Sequence, residues 1–301
     1  MITVASLRKT YGTRTAVDDL TFDVAAGRVT GFVGPNGAGK STTMRMMVGL
    51  TRPDSGSVRY DGTPYTSLRR PARVVGSVLD ARCMHPGRTA RNHLRATAAL
   101  SGIARSRVEA VLAEVGLESA ADQRAGGFSL GMRQRLALAG ALLGEPQVLL
   151  LDEPSNGLDP DGIRWLRTYL SDFADKGGSV FVSSHLIGEL AMFADDLVVV
   201  GAGRLLAAES VAAITAGNEV TVVVQTAQPQ QQVELERHLA QAGLAVASDG
   251  PRLKVRNSSR SAVSAIAFAH GIAVLELSET TRSLEDSLLD LTAATAEFAS
   301  A

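Results

Sequence analysis

A short apolar run, Val29–Val33, leads directly into Gly34-Pro35-Asn36-Gly37-Ala38-Gly39-Lys40-Ser41 and then Thr42. An apolar strand that ends in a glycine-rich turn and restarts as a helix fits the phosphate-binding loop pattern. The glycines let backbone N–H groups turn inward around β- and γ-phosphates, and the helix N-terminus adds a favourable dipole. Lys40 supplies a point charge to those phosphates, and the Ser41 hydroxyl can ligate Mg²⁺. Few other folds accommodate this order of elements, so the chain reads as an α/β protein.

A second element supports the first. Val148–Leu151 is four consecutive apolar residues, the look of a strand buried on both faces, and Asp152 and Glu153 follow at once. An acid at that edge of a sheet lies beside the phosphate loop and can hold Mg²⁺. The adjacent Glu153 can polarise a water that attacks the γ-phosphate. Two acids after a strand often only begin a solvated loop; here they continue into Pro154-Ser155-Asn156-Gly157-Leu158-Asp159.

The alternation of strands and helices extends to about residue 208. Strands are predicted at 2–7, 20–24, 29–33, 148–151, 179–183 and 196–200, with a further strand leading to Asp80. Helices are predicted at 40–50, 130–143 and 163–174, and 88–115 reads as mostly helical, with a loop over 116–127. After about residue 215 the pattern changes to strand 219–225, helix 228–242, strands 244–248 and 253–255, helix 259–270 and strand 272–277. That βαββαβ order describes a small ferredoxin-like domain, residues 216–301. A last amphipathic helix is expected at 283–292, with Leu284, Leu288 and Leu291 on one stripe.

Bulk properties exclude several classes. The formal net charge is −1, so nothing in the charge balance points to nucleic acid, which usually asks for a basic surface. Cys83 is the single cysteine, so no intrachain disulfide forms and a reducing compartment is expected. No apolar run approaches the roughly 18 residues that span a bilayer, so a membrane role would come through a partner. Cys83, His85 and His93 match no standard metal-site spacing. Trp165, on a helix with Leu166 and Leu170, is expected to pack in the core.

Phe128-Ser129-Leu130-Gly131-Met132-Arg133-Gln134-Arg135 stands shortly before the acidic strand. This octapeptide resembles the signature of ABC ATPases, and residues 1 to about 210 resemble that family, with every motif in order. The resemblance implies a P-loop ATPase core over residues 1–215, with an inserted helical subdomain at about 86–142, that binds and hydrolyses Mg-ATP. It implies that Ser129, Leu130, Gly131 and Met132 face the γ-phosphate of ATP held by a second copy of the chain. It further implies that Tyr11 stacks on adenine, that Asp159 belongs to the loop crossing between subunits, and that His185 contacts the γ-phosphate. Glu153, His185 and Lys40 are then the catalytic set, and Ser41 and Asp152 the Mg²⁺ ligands.

Departures from the family pattern narrow the branch. Asp80 stands where the family usually has glutamine; its shorter, charged side chain can approach Mg²⁺ more tightly. Leu130 and Met132 replace a glycine and a glutamine, and leucine implies ordinary helix-entry backbone at position 130. Asp80 and the FSLGM form resemble the branch serving ABC-2-type exporters, such as bacitracin- or daunorubicin-like efflux systems. That resemblance implies an ABC-2-type permease as partner, at the cytoplasmic face of a bacterial membrane. Non-transport ATPases of translation or DNA repair would show tandem cassettes or a long coiled-coil insertion, and importers often carry a barrel-like C-terminal domain.

Overall fold

The computed structural model describes residues 1–80, 84–216 and 220–281. They form two compact units, one running from Met1 to Val211 and the other beginning at Ala212. Cys83 and the helix expected at 283–292 lie outside the described residues.

The first unit opens with two long antiparallel strands, β1 (Ile2–Tyr11) and β2 (Arg14–Val24), whose buried residues alternate with exposed ones. β3 (Val29–Val33) is buried at all five positions and feeds α1 (Lys40–Met47). β4 (Ser55–Tyr60) and β5 (Thr63–Pro64) follow, then β6 (Val75–Val78). Three helices come next, α2 (Ala90–Leu100), α3 (Ser106–Glu114) and α4 (Leu130–Leu142). The chain then returns to the sheet as β7 (Val148–Leu151), α5 (Pro160–Asp175), β8 (Ser179–Ser184), α6 (Ile187–Ala191), β9 (Asp196–Gly201) and β10 (Arg204–Ser210).

Two sheets result. β2-β1-β4-β5 is antiparallel, and a six-stranded sheet runs β10-β9-β3-β8-β7-β6, parallel except for β10. Between them lies a core that includes Phe22, Phe32 and Phe181, with ring centroids 5.0 to 5.8 Å apart, and Met44 and Met47 of α1. With β3 between β8 and β9, the loop after it opens at the carboxyl edge of the parallel strands, where such sheets bind ligands.

Several elements differ from the sequence reading. The segment 88–115 is two helices, broken over residues 101–105. β4, β5 and β10 were not expected; their mixed, half-exposed residues lack the apolar continuity of β3 or β7. Trp165 is not in the core: it is half-buried on α5, with the Arg135 guanidinium of α4 4.1 Å from its ring centre.

In the second unit, α7 (Val211–Ala216) is followed by β11 (Val220–Thr226), α8 (Pro229–Gln241), β12 (Ala245–Asp249), β13 (Arg252–Arg256), α9 (Arg260–Ala269) and β14 (Val274–Thr281). The strands pair antiparallel in the order β12-β13-β11-β14, the arrangement of a ferredoxin-like sheet. Val222, Val224, Leu253 and Val255 meet Leu235, Leu239 and Val263 in a separate small core. No helix among the described residues is long and apolar enough to cross a membrane.

Candidate functional site

The loop between β3 and α1 is shaped around Lys40. Its side chain is only 6% exposed, and its ammonium donates to the Gly34 carbonyl at 2.6 Å and the Pro35 carbonyl at 3.4 Å. Gly39 caps α1 with φ +99°, and a Cβ there would collide with the Ala16 carbonyl, so only glycine closes this turn. A cavity of about 480 Å³ opens on the loop, lined by Asn36, Gly37, Gly39, Lys40, Ser41 and Thr42, and across from them by Tyr11, Arg14, Ala16 and Glu153. Gly34, Pro35 and Ala38 are not in its lining; the first two hold Lys40 from behind, and Ala38 is buried.

Tyr11 ends β1 half-exposed at the rim of this cavity. The Lys9 ammonium stands 5.5 Å from its ring centre and is itself bound to Asp54 at 2.9 Å. Asp54 also accepts the Thr10 N–H at 2.7 Å. The Lys9 hydrogen bond, and next the one from Thr10, hold the Asp54 carboxyl below its usual range.

At the end of β7 the backbone changes course. Asp152 N–H still bonds to the Val78 carbonyl, but Glu153 adopts φ +50°, a left-handed conformation that costs a non-glycine residue on the order of 1–3 kcal/mol. Ser183, fully buried on β8, holds this bend: its hydroxyl donates to Asp152 Oδ1 at 2.5 Å and accepts the Glu153 N–H at 2.9 Å. The bend sends the Glu153 carboxylate between two other groups. Oε2 lies 2.8 Å from His185 Nδ1, and Oε1 lies 3.7 Å from Lys40 Nζ. Glu153, His185 and Lys40 are therefore one contiguous cluster.

Ser41 and Glu153 also line a second cavity of about 460 Å³, with Asp80, Asp152, Arg45 and Gln134. Its oxygen donors, Ser41, Asp152 and Asp80, suit a hard cation. No group of three or more His, Cys, Asp or Glu side chains among the described residues could hold a metal unaided. Mg²⁺ takes one or two protein carboxylates and completes its shell with phosphate and water.

The signature segment touches the second cavity through Leu130 and Gln134. Ser129 caps α4, its Oγ accepting the Met132 N–H at 3.2 Å, and Leu130 enters the helix without a positive φ, as its side chain requires. Asp159 caps α5 in the same way through the Gly162 N–H at 2.8 Å. Ser129, Gly131, Met132 and Asp159 line neither cavity; Leu130 reaches only the second. Residues the sequence reading passed over are Ser183, Arg14, Arg45 and the Lys9–Asp54 pair. None of them carried a motif spacing that could have singled it out.

Residues 17–156 match the ABC transporter family, and residues 220–285 match a domain of unknown function. The chain is 34% identical over 300 residues to an uncharacterised ABC transporter ATP-binding protein of Bacillus subtilis, covering 99% of this chain and 97% of that one. It is 38% identical over 209 residues to the bacitracin transport ATP-binding protein of Bacillus licheniformis, covering 68% of each chain. Among solved structures, an ATP-binding subunit of an ABC transporter superposes with a TM-score of 0.65 at 27% identity, covering 72% of this chain and 92% of the other.

Proposed function

The chain belongs to the ATP-binding subunits of ABC transporters, which bind and hydrolyse ATP, and we propose that two copies form a motor that energises export through a separate permease. One observation carries the two-copy reading. Ser129 and Gly131 offer a capped helix N-terminus, a natural anion site, yet they line no cavity with the phosphate loop of their own chain. A head-to-tail pair supplies what each copy lacks: the signature of one closes over the phosphates held by the other. Asp159, at the start of α5, then belongs to the crossing between subunits.

In this reading Tyr11 is the platform for adenine, and residues 34–42 wrap the phosphates with backbone N–H groups. Lys40, prealigned by two carbonyls, meets the β- and γ-phosphates. Glu153 polarises the attacking water, and its bent backbone aims the carboxylate into the cavity instead of along the strand. His185 fixes one oxygen of that carboxylate and faces the γ-phosphate. Magnesium, when bound, neutralises phosphate charge; Ser41, Asp152 and Asp80 are the residues that would hold it.

Export is supported by the FSLGM signature and Asp80, and by similarity to a protein named for bacitracin transport. The partner we propose is an ABC-2-type permease, which places the chain at the cytoplasmic face of a bacterial membrane. Glu153→Gln tests the core of the proposal. Turnover is lost while ATP binding persists, and Mg-ATP traps a two-copy species on size exclusion. Near-normal ATPase activity in Glu153→Gln removes the role assigned to that carboxylate.

A further inference from the structure

Leu130 was read from the sequence as a residue facing the partner's ATP. Within its own chain the side chain also has a close neighbour. A Cβ built on Gly157 would overlap Leu130 Cδ2 and stand 3.1 Å from its Cγ, so the leucine lies directly over the bare Cα of Gly157. The reverse contact stands beside it: a Cβ on Gly131 would be 3.5 Å from Leu158 Cδ2. The pairs are crossed in sequence, with Leu130 on Gly157 and Leu158 against Gly131.

Each half of this clasp is braced by its own hydrogen bonds. On one side Ser129 caps α4. On the other, the Asn156 N–H bonds to the Glu153 carbonyl, the Leu158 N–H bonds to the Ser155 carbonyl, and Asp159 caps α5. The loop that leaves Glu153 is therefore a braced unit, and the clasp fastens it to the first turn of the signature helix. Gly157 has φ +73°, so a side chain there strains the backbone and must displace Leu130.

We infer that Leu130 and Leu158 are positioning residues that join the signature helix to the loop carrying Glu153, so that displacement of one carries the other. This rests on the signature reading above: when α4 is drawn onto a phosphate, the clasp conveys that movement to the water-polarising carboxylate of the same chain. A clasp of apolar contacts suits the task, because close packing passes on displacement in a way that a solvated ion pair does not.

The experiment is a double-mutant cycle on the full chain with Mg-ATP. Leu130 is 44% exposed, so its truncation leaves a folded protein, and Leu158→Ala probes the clasp from the other side. Leu130→Ala lowers kcat on the order of tenfold, the scale of a small misplacement of a reacting group, with KM for ATP within about twofold. Leu130→Met, which keeps an apolar side chain of similar volume, restores kcat. Gly157→Ala costs less kcat in the Leu130→Ala background than in the native one, because the overlap has been removed. Equal costs in the two backgrounds, or an unchanged kcat in Leu130→Ala, overturn the inference. Ser129→Ala separates the two readings. Full activity there refutes the signature role while the cycle still decides the clasp; loss of activity there beside a native Leu130→Ala refutes the clasp alone.

Discussion

Ser183→Ala is the most informative single change outside the phosphate loop. In the native chain its hydroxyl spends its proton on Asp152 and its lone pair on the Glu153 N–H, with no exposure to water. Alanine ends both contacts. Asp152 loses a charge-assisted donor, and the Glu153 N–H is left unpartnered beside a left-handed backbone. Each loss is worth on the order of 1–3 kcal/mol, so the pair together costs about 2–6 kcal/mol. At roughly 2–4 °C per kcal/mol for a unit of this size, the apparent Tm falls by about 4–24 °C. With the bend released, the carboxylate drifts from its place between His185 and Lys40, and kcat falls about 10- to 100-fold. KM for ATP stays near its native value, because the hydrogen bonds of the Ser183 side chain go to Asp152 and Glu153 and not to the loop at residues 34–39. Thermal melting and steady-state ATPase assays over a range of ATP concentrations read all three quantities. A Tm within about 2 °C of native together with an intact kcat would refute the view that Ser183 holds the bend.

Asp80→Asn, if Asp80 is a metal ligand, raises the Mg²⁺ concentration needed for half-maximal ATPase activity; an unchanged Mg²⁺ dependence removes Asp80 from the metal-binding set. Asp54→Asn frees Lys9 from its place over Tyr11, so KM for ATP rises severalfold at constant kcat. Because the Asp54 carboxyl is held below its usual range, the native contact is complete above the ordinary carboxylate pKa and is lost only as pH falls through the lowered value, below about pH 4. A KM that is flat into that acid range, in protein still folded by circular dichroism, counts against the Lys9–Asp54 brace. Arg135→Ala uncovers Trp165, the single tryptophan, and its emission shifts to the red; an unshifted spectrum means that the guanidinium does not shield the ring in solution.

The phosphate loop was legible in the sequence because its chemistry needs particular residues at particular spacings, and a strand and helix bracket them. The pairing of Asp152 with Glu153 was legible for the same reason. The bend that separates their tasks was not, because its support comes from Ser183, thirty residues away, and a lone serine in a strand carries no spacing. Trp165 was misread because helical periodicity ranks faces by hydropathy, and a tryptophan under an arginine satisfies the pattern while standing at the surface. In the second unit, the alternation of β11 and β13 marked the sheet. In the first, β4 and β10 escaped notice because their mostly half-buried and exposed residues blur the period.

The left-handed backbone at Glu153 has a consequence for how such a chain can change over generations. Asparagine, aspartate and glycine accept that conformation more readily than glutamate does. Each would relieve strain, and each would withdraw or shorten the carboxylate that reaches His185. On the role proposed for Glu153, selection for folding alone pulls position 153 toward residues that silence the enzyme, and selection for turnover keeps glutamate there. Duplicated copies freed from the second pressure should lose this residue early, and gain stability as they do.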